Sequence, residues 1–165
     1  MKPFIGKSTL AILVIASGSL HAAQVGSSCD GQKAMLSVHL EAEKYSFNSG
    51  QPIGLRVLLT NTGNKTVSLP PFMGIKHYWL QFDVTDEQGK ALAWLGPELK
   101  MLITAERVAL YPGYLWGTNI DGFEKRYAMA RPGTYTVRAI YGVGPDGSCP
   151  AGKHASNPIR LVIAE

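Results

Sequence analysis

Histidine and glutamate are the residues whose spacing would mark a zinc peptidase, through two histidines one helical turn apart in the pattern H-E-x-x-H. The sequence contains no such pattern. Its histidines after residue 22 are His39, His77 and His154. His39 alternates with Val38 and Leu40, which predicts a solvated side chain on the polar face of a strand. We therefore expect no catalytic zinc site.

The stretch GSCPAGKH, residues 147–154, has nearly the spacing of a phosphate-binding loop, G-x-x-x-x-G-K-[ST]. His154 stands where that motif needs a hydroxyl group for magnesium, and Pro150 removes one of the amide donors. The motif also requires a following helix whose N-terminus faces the phosphates, whereas this stretch leads into another strand. The spacing therefore predicts a connecting loop rather than a nucleotide site.

Other catalytic and metal-binding patterns are equally incomplete. The sequence has no G-x-S-x-G motif, and a cysteine nucleophile would require Cys149 to be reduced. Asp83, Asp86 and Glu87 surround a turn without the twelve-residue calcium pattern. Methionine and histidine suit copper, but the methionines are isolated and isolated methionines generally fill cores: Met35, Met73, Met101 and Met129. We expect no cofactor, no metal and no enzymatic activity.

Length and charge restrict the protein further. The chain has 165 residues and a formal charge of +4, which suits one domain. Without Lys2 and Lys7 the charge is +2, from 14 basic against 12 acidic residues. No lysine or arginine cluster is present to follow a phosphate backbone, so nucleic acid is not an expected partner.

The first 22 residues have the layout of a secretory signal peptide. Lys2 and Lys7 precede the apolar run TLAILVIA, and the small residues of SGSLHAA follow it. We expect cleavage after Ala22 or Ala23, export to the periplasm or the medium, and a single domain over residues 24–165. The apolar run is far shorter than a membrane anchor requires. In an oxidising compartment the only two cysteines, Cys29 and Cys149, are expected to form a disulfide.

Strict alternation of apolar and polar residues dominates the rest of the chain and predicts β-strands with one buried face. Turn formers such as NTGNKT, DEQG and YPGY separate these runs. We expect Ala91–Leu95 to return as the hairpin partner of the strand before it, and residues 121–131 to form a loop. The apolar faces belong to Leu36, Val38, Leu40 and Ala42; Ile53, Leu55, Val57 and Leu59; Tyr78, Leu80, Phe82 and Val84; Tyr135, Val137, Ala139 and Tyr141; and Ile159, Leu161 and Ile163.

Seven to nine short strands with one apolar face each predict an all-β fold, an immunoglobulin-like antiparallel β-sandwich. Tyr135 follows the corner RPG near the start of its strand. This is the place of the tyrosine corner in such sandwiches, where the hydroxyl group bonds back to the preceding backbone. The alternative is a half-buried strand aromatic without that role.

The segments SGQPIGLRVLLTNTGNKTVSL, LQFDVTDEQGKAL and ARPGTYTVRAIY resemble bacterial immunoglobulin-like modules. Similar modules precede the catalytic domain of deuterolysin-like secreted metallopeptidases, which GKALAWLGPELK followed by VALYPG resembles in particular. The layout is also similar to the intracellular proteinase inhibitor domain of bacilli, which implies a protease partner. These modules contain no catalytic residues, so the resemblance implies a fold and no reaction.

In an immunoglobulin-like sandwich, loops 61–77 and 142–157 leave from the same end. Cys29 and Cys149 should meet there, beside an apolar cluster with a basic rim that suits a protein partner. The alternative is that the apolar residues fold back to cap the core. The expected contact residues are Phe72, Met73, Ile75, Lys76, His77, Lys153 and His154. We expect a non-catalytic module that binds a protein, or alternatively an inhibitor of a protease or other hydrolase.

Overall fold

The structure, a computed structural model, describes residues 36–71, 73, 79–97, 106–129, 131–143 and 152–165. In these ranges no helix has the length and apolarity that a membrane crossing requires. The elements that the structure describes are a 3-10 turn at Phe123–Lys125 and otherwise strands, so the predicted all-β class is confirmed. They are β1 Leu36–Ala42, β2 Ser46–Asn48, β3 Leu55–Asn61, β4 Val67–Leu69, β5 Leu80–Thr85, β6 Val108–Leu110, β7 Leu115–Ile120, β8 Gly133–Val143, β9 Gly152–Ala155 and β10 Ile159–Ala164.

Two sheets pack face to face. The first has the order β1-β3-β7, the second has the order β2-β10-β8-β5 with β9 also paired to β8, and β4 pairs with β6 in a short ribbon. Neighbouring strands are antiparallel except β2 and β10, which are parallel. The chain moves from the first sheet to the second between β1 and β2. This is the immunoglobulin-like arrangement that the alternating sequence predicts.

Alternation in the sequence becomes alternation in burial. β1 reads buried, exposed, buried, exposed, and β10 repeats the pattern over its whole length. Val57 and Leu59 of the first sheet and Val137 and Leu161 of the second have no exposed surface. The two inner faces therefore share one core.

The ladder between β3 and β7 breaks after Asn61 and resumes as β4 and β6. Asn61 is completely buried at this break. Its Nδ2 donates to the carbonyl oxygens of Lys65 at 2.7 Å and Leu110 at 2.8 Å, and its Oδ1 accepts from the Gly63 amide at 3.0 Å. The side chain thus satisfies backbone groups that the broken ladder leaves without a strand partner.

A second break separates β9 from β10, although both pair with β8. Ser156 Oγ accepts from the Ala139 amide at 2.9 Å. The amide of Asn157 both donates to the Leu40 carbonyl at 2.9 Å and accepts from the Leu40 N–H at 3.0 Å. β9 lies within residues 142–157, which were predicted as a loop, and the described residues form ten strands where seven to nine were expected.

The hairpin strand predicted at Ala91–Leu95 does not form. Ala91 makes a single bridge to Thr85, and Trp94 makes one to Tyr127. The Leu92 amide still donates to the Val84 carbonyl at 2.8 Å, but Leu95 already donates to Arg126. Residues 91–95 leave β5 after one bridge, because Trp94 and Leu95 pair instead with Tyr127 and Arg126, which follow the 3-10 turn.

Residues 121–131, predicted as a loop, supply part of the core in their described portion. Phe123, Tyr127 and Met129 are buried. The ring of Phe123 lies 5.1 Å from that of Phe82, edge to face. This segment therefore closes the space between the two sheets rather than only connecting them.

Candidate recognition surface at the loop end

The pairing registers place the ends of several strands at the same end of the sandwich. Leu36 pairs with Asn61 in the first sheet, and Leu80 pairs with Tyr141 in the second. The bonds between Asn157 and Leu40 fix the two sheets relative to each other. The first residues of β1, β5, β7 and β9 and the last residues of β3 and β8 consequently share this end, which we call the loop end.

Four of the seven predicted contact residues, Phe72, Ile75, Lys76 and His77, lie outside the described residues, as do the predicted disulfide partners Cys29 and Cys149. Their disulfide and their contacts stay predictions. Met73 is described and differs from the expected exposed position, since it is only 6% exposed and belongs to the core cluster. Burial of its apolar side chain in the core is more favourable than exposure to solvent. Met73 therefore offers little surface to a partner.

Lys153 and His154 both lie on β9 at the loop end, but on opposite faces. Lys153 pairs with Gly142 and is exposed, whereas His154 pairs with Tyr141 and is half-buried. Successive strand residues point to opposite sides of a sheet. The two side chains therefore do not form one basic rim, and only Lys153 projects from the outer face.

A group of exposed apolar side chains at the loop end was missed by the sequence reasoning. Tyr111, Tyr114 and Leu115 are 55%, 64% and 63% exposed. The two tyrosine rings lie 5.8 Å apart in an edge-to-face arrangement. The available signal was the tyrosine on each side of the Pro-Gly turn in YPGY, because turn residues project into solvent. We call residues 111–115 the tyrosine turn.

The tyrosine turn is held in place by the end of β3. The Gly113 amide donates to the Asn61 carbonyl at 2.8 Å, and the Asn61 amide donates to the Tyr114 carbonyl at 3.3 Å. Gly113 has a φ of 78°, a left-handed conformation that glycine adopts at low cost. The exposed rings are thus mounted on a fixed backbone, which reduces the entropy lost on binding.

Tyr135 lies at the start of β8, and its hydroxyl donates to the Arg131 carbonyl at 2.8 Å. The bond runs back four residues to the corner before the strand, as in a tyrosine corner. It fixes the turn between Arg131 and β8 and is remote from the loop end.

The ionisable groups that are strongly perturbed do not favour chemistry at neutral pH. Burial raises the pKa of Tyr141, against a smaller opposing effect from the charge of Arg107. Burial and, secondarily, the charge of Asp83 raise the pKa of Tyr127 to about 12, while its bond to the Phe82 carbonyl acts in the opposite direction. Both phenols are neutral at pH 7, so neither acts there as a base or nucleophile.

The raised tyrosine pKa values predict a loss of stability in alkali. Tyr127 ionises near 10 when unfolded and at about 12 when folded, so the folded state retains the proton between these values. The contribution of Tyr127 to the free energy of unfolding should be complete below about pH 10 and should fall by about 2 kcal/mol as the pH rises to 12. Urea unfolding across this range, with tyrosinate absorbance, measures both quantities. Tyr127→Phe should reduce the slope; ionisation of every tyrosine near pH 10 without loss of stability would contradict the prediction.

Polar groups elsewhere are arranged as surface pairs. Glu41 Oε1 and Arg56 Nη1 are 3.1 Å apart on the outer face of the first sheet, and Arg56 Nε donates to Asn119 at 3.1 Å. Across the residues that the structure describes, no group of three or more histidine, aspartate or glutamate side chains is placed to hold a metal ion. The exposed apolar turn is therefore the better candidate for a functional surface.

No protein-family model and no curated protein matches the chain. Among solved structures, a β-glucosidase from Erythrobacter marinus aligns at 17% identity and a TM-score of 0.41, over 79% of this chain and 16% of that one. A CARDB domain from Pyrococcus furiosus, in complex with di-metal ions, aligns at 12% identity and 0.41, over 79% and 89%. A mutant β-glucosidase from Listeria innocua aligns at 13% and 0.40, over 81% and 16%. The chain thus spans about 16% of the length of these β-glucosidases, and at such TM-scores the fold rests on the strand pairings described above.

Proposed function

We propose that the protein is an exported, non-catalytic module that recognises a protein partner through the loop end. The observation that carries the proposal is the tyrosine turn. Six large hydrophobic side chains of the described residues are exposed, and three of them, Tyr111, Tyr114 and Leu115, lie within this one segment. Clustered exposed apolar side chains mark interaction sites more often than scattered ones.

Tyrosine is suited to protein recognition because it combines a large apolar ring with a hydroxyl group and has few rotatable bonds. Tyr111 and Tyr114 stand on a turn that Asn61 fixes by two backbone hydrogen bonds. Lys65 and Lys153 are exposed at the same end. Exposed apolar side chains with cationic residues at the same end of the sandwich favour a protein surface that carries an apolar contact and acidic groups.

Export and the disulfide belong to the same proposal. The basic, apolar and small-residue segments of the first 22 residues support a secretory signal. In the oxidising compartment that follows, Cys29 and Cys149 would join the loop end covalently. Such a bond would stiffen the loops beside the tyrosine turn and so improve their suitability for recognition.

Affinity capture with matched variants tests the function. Tyr111→Ala and Tyr114→Ala should each weaken retention of the specific partner at least about fivefold, since truncating a tyrosine at the centre of an interface costs about 1 kcal/mol or more. Tyr45→Ala is the control, because Tyr45 is similarly exposed but precedes β2, away from the loop end. A partner retained equally by all variants would place recognition elsewhere.

The alternative role, inhibition of a protease or other hydrolase, is separated by a direct assay. The purified protein is titrated against a panel of secreted and periplasmic proteases. Inhibition that is lost in Tyr111→Ala and kept in Tyr45→Ala would identify the partner as that protease. Turnover of a small substrate by the protein itself would overturn the non-catalytic assignment.

A further inference from the structure

Among the described residues, no strand pairs with the outer edge of β7. The carbonyl of Tyr114 accepts from the Asn61 amide. In an antiparallel ladder the backbone N–H and C=O groups of residues 116, 118 and 120 therefore also point towards β3. Leu115, Gly117 and Asn119 therefore point their N–H and C=O groups away from the sheet. In the described part of the chain, this edge receives only the Thr118 hydroxyl, which donates to the Asn119 carbonyl at 3.3 Å.

Three other edge strands of the two main sheets, β1, β5 and β2, have edge groups bonded by the protein itself, and the fourth, β9, is a strand of only four residues that pairs with β8. Asn157 bonds both free groups of Leu40 in β1. In β5, the Val84 carbonyl accepts from the Leu92 amide at 2.8 Å, and the Phe82 carbonyl accepts from the Tyr127 hydroxyl at 3.0 Å.

The three-residue strand β2 is capped by Gln51, whose Oε1 accepts from the Asn48 amide at 3.1 Å. β7 has no comparable cover among the described residues. It also lacks the lysine, proline or bulge with which proteins usually prevent edge pairing.

We propose that a second copy of the chain pairs with this edge, β7 antiparallel to β7, with the two-fold axis at Gly117. Leu115 then lies opposite Asn119 of the copy, Trp116 opposite Thr118, and Gly117 opposite its equivalent. A two-fold contact of this kind is closed and uses the same surface twice. The two three-stranded sheets join into one sheet of six strands.

The sequence of β7 is complementary to itself in this register. Trp116 and Thr118 form an aromatic and β-branched pair twice, which is a favourable cross-strand combination. The strand LWGTNI contains no charged residue, so no like charges oppose each other. The half-buried Trp116 and the exposed Leu115 both gain a neighbour.

Gly117 keeps the centre of this edge free of side chains. A Cβ at this position would lie 2.6 Å from Cδ2 of Leu58 and 2.7 Å from the Val57 carbonyl oxygen. The side chain of Leu58 occupies that space instead, so no side chain projects at Gly117, where the two-fold axis passes. Two backbones can therefore approach to ladder distance at the point where a side chain on each would meet.

The pairing goes beyond the proposed function and does not depend on it. Residues 115–119 form the ladder, so Leu115 belongs to both the ladder and the tyrosine turn, whereas Tyr111 and Tyr114 precede the ladder. The two-fold axis places one loop end at each end of the joined sheet, facing opposite directions. A dimer of this form offers two recognition surfaces for two copies of a partner.

Sedimentation velocity of the full chain from about 5 to about 300 µM tests the dimer, a range suited to a small interface. We expect a concentration-dependent dimer. Leu115→Lys should raise its dissociation constant at least about tenfold, because the substitution places a charge on each side of the new ladder. Val162→Lys is the control, since Val162 is an exposed apolar residue of β10, inside the second sheet. A monomer throughout the range would overturn the proposal.

Hydrogen exchange locates the dimer contact and shows whether Leu115→Lys is still folded. The amides of Leu115, Gly117 and Asn119 should exchange more slowly at high than at low protein concentration, and Leu115→Lys should abolish that difference while core amides stay protected. A dimer that persists in Leu115→Lys, or that protects other amides, would place the interface elsewhere. Partner capture is read with Tyr111→Ala and Tyr114→Ala, which lie outside the ladder, and not with Leu115→Lys, so failure of either idea leaves the other intact.

Discussion

Asn61→Ala is expected to lower the free energy of unfolding by about 3 kcal/mol, because three backbone groups lose their partners at once. The Nδ2 of Asn61 binds the carbonyls of Lys65 and Leu110, and its Oδ1 binds the Gly63 amide. The residue is completely buried, so water cannot replace the bond to Leu110 without opening the break between β3 and β4. Chemical unfolding monitored by tryptophan fluorescence measures the change.

Asn48→Ala provides the matched control for this substitution. Asn48 is an exposed strand residue, and its bonds to Gln51 involve only its backbone groups. Its replacement should change stability by about 0.5 kcal/mol or less. If Asn61→Ala were equally mild, solvent would have to satisfy the backbone groups at the ladder break, and the structural role assigned to the Asn61 side chain would be wrong.

The consequence for recognition can be measured with the same variant. Asn61 also binds Gly113 and Tyr114 through its backbone, so the substitution leaves those bonds in place while loosening the loop beside them. Tyr111 and Tyr114 should then keep their positions on average but fluctuate more. Loss of partner affinity in Asn61→Ala should therefore be smaller than in Tyr111→Ala, at temperatures where the variant is folded.

The strands were predictable from sequence because a sandwich core imposes a period of two on every segment that lines it. β1, β3, β8 and β10 all follow that rule. The breaks at Asn61 and at Ser156–Asn157 were not predictable, because Asn and Ser occur in any turn. Their role as buried bonding groups depends on residues far away in sequence, such as Leu110 and Leu40.

The loop end shows the same limit more strongly. Strand order alone indicated that loops 61–77 and 142–157 leave from one end, but it could not indicate which side chains face solvent there. Met73 is buried and His154 turns to the inner side of β9, whereas the unpredicted Tyr111 and Tyr114 are exposed. Exposure in a loop depends on how the chain packs over the core, and no local periodicity records it.

Phe123→Ala is expected to destabilise the protein by about 3 to 5 kcal/mol, the usual effect of removing a fully buried phenylalanine ring. Phe123 has no exposed surface. Its ring lies 5.1 Å from Phe82 in the second sheet and 5.1 Å from Tyr127. The backbone amide of Phe123 also donates to the Ile53 carbonyl at 3.1 Å, which ties the 3-10 turn to the segment before β3.

The loss of stability in Phe123→Ala distinguishes a core residue from a loop residue. The sequence alone predicted residues 121–131 to be a loop. Phe123→Leu should recover part of the stability, since it restores apolar volume without the edge-to-face contacts. Lys125→Ala, on the exposed side of the same turn, should change stability by about 0.5 kcal/mol or less. Thermal unfolding of the three variants gives the comparison. If Phe123→Ala and Lys125→Ala were equally stable, the segment would be a peripheral connection, and the core would have to close without it.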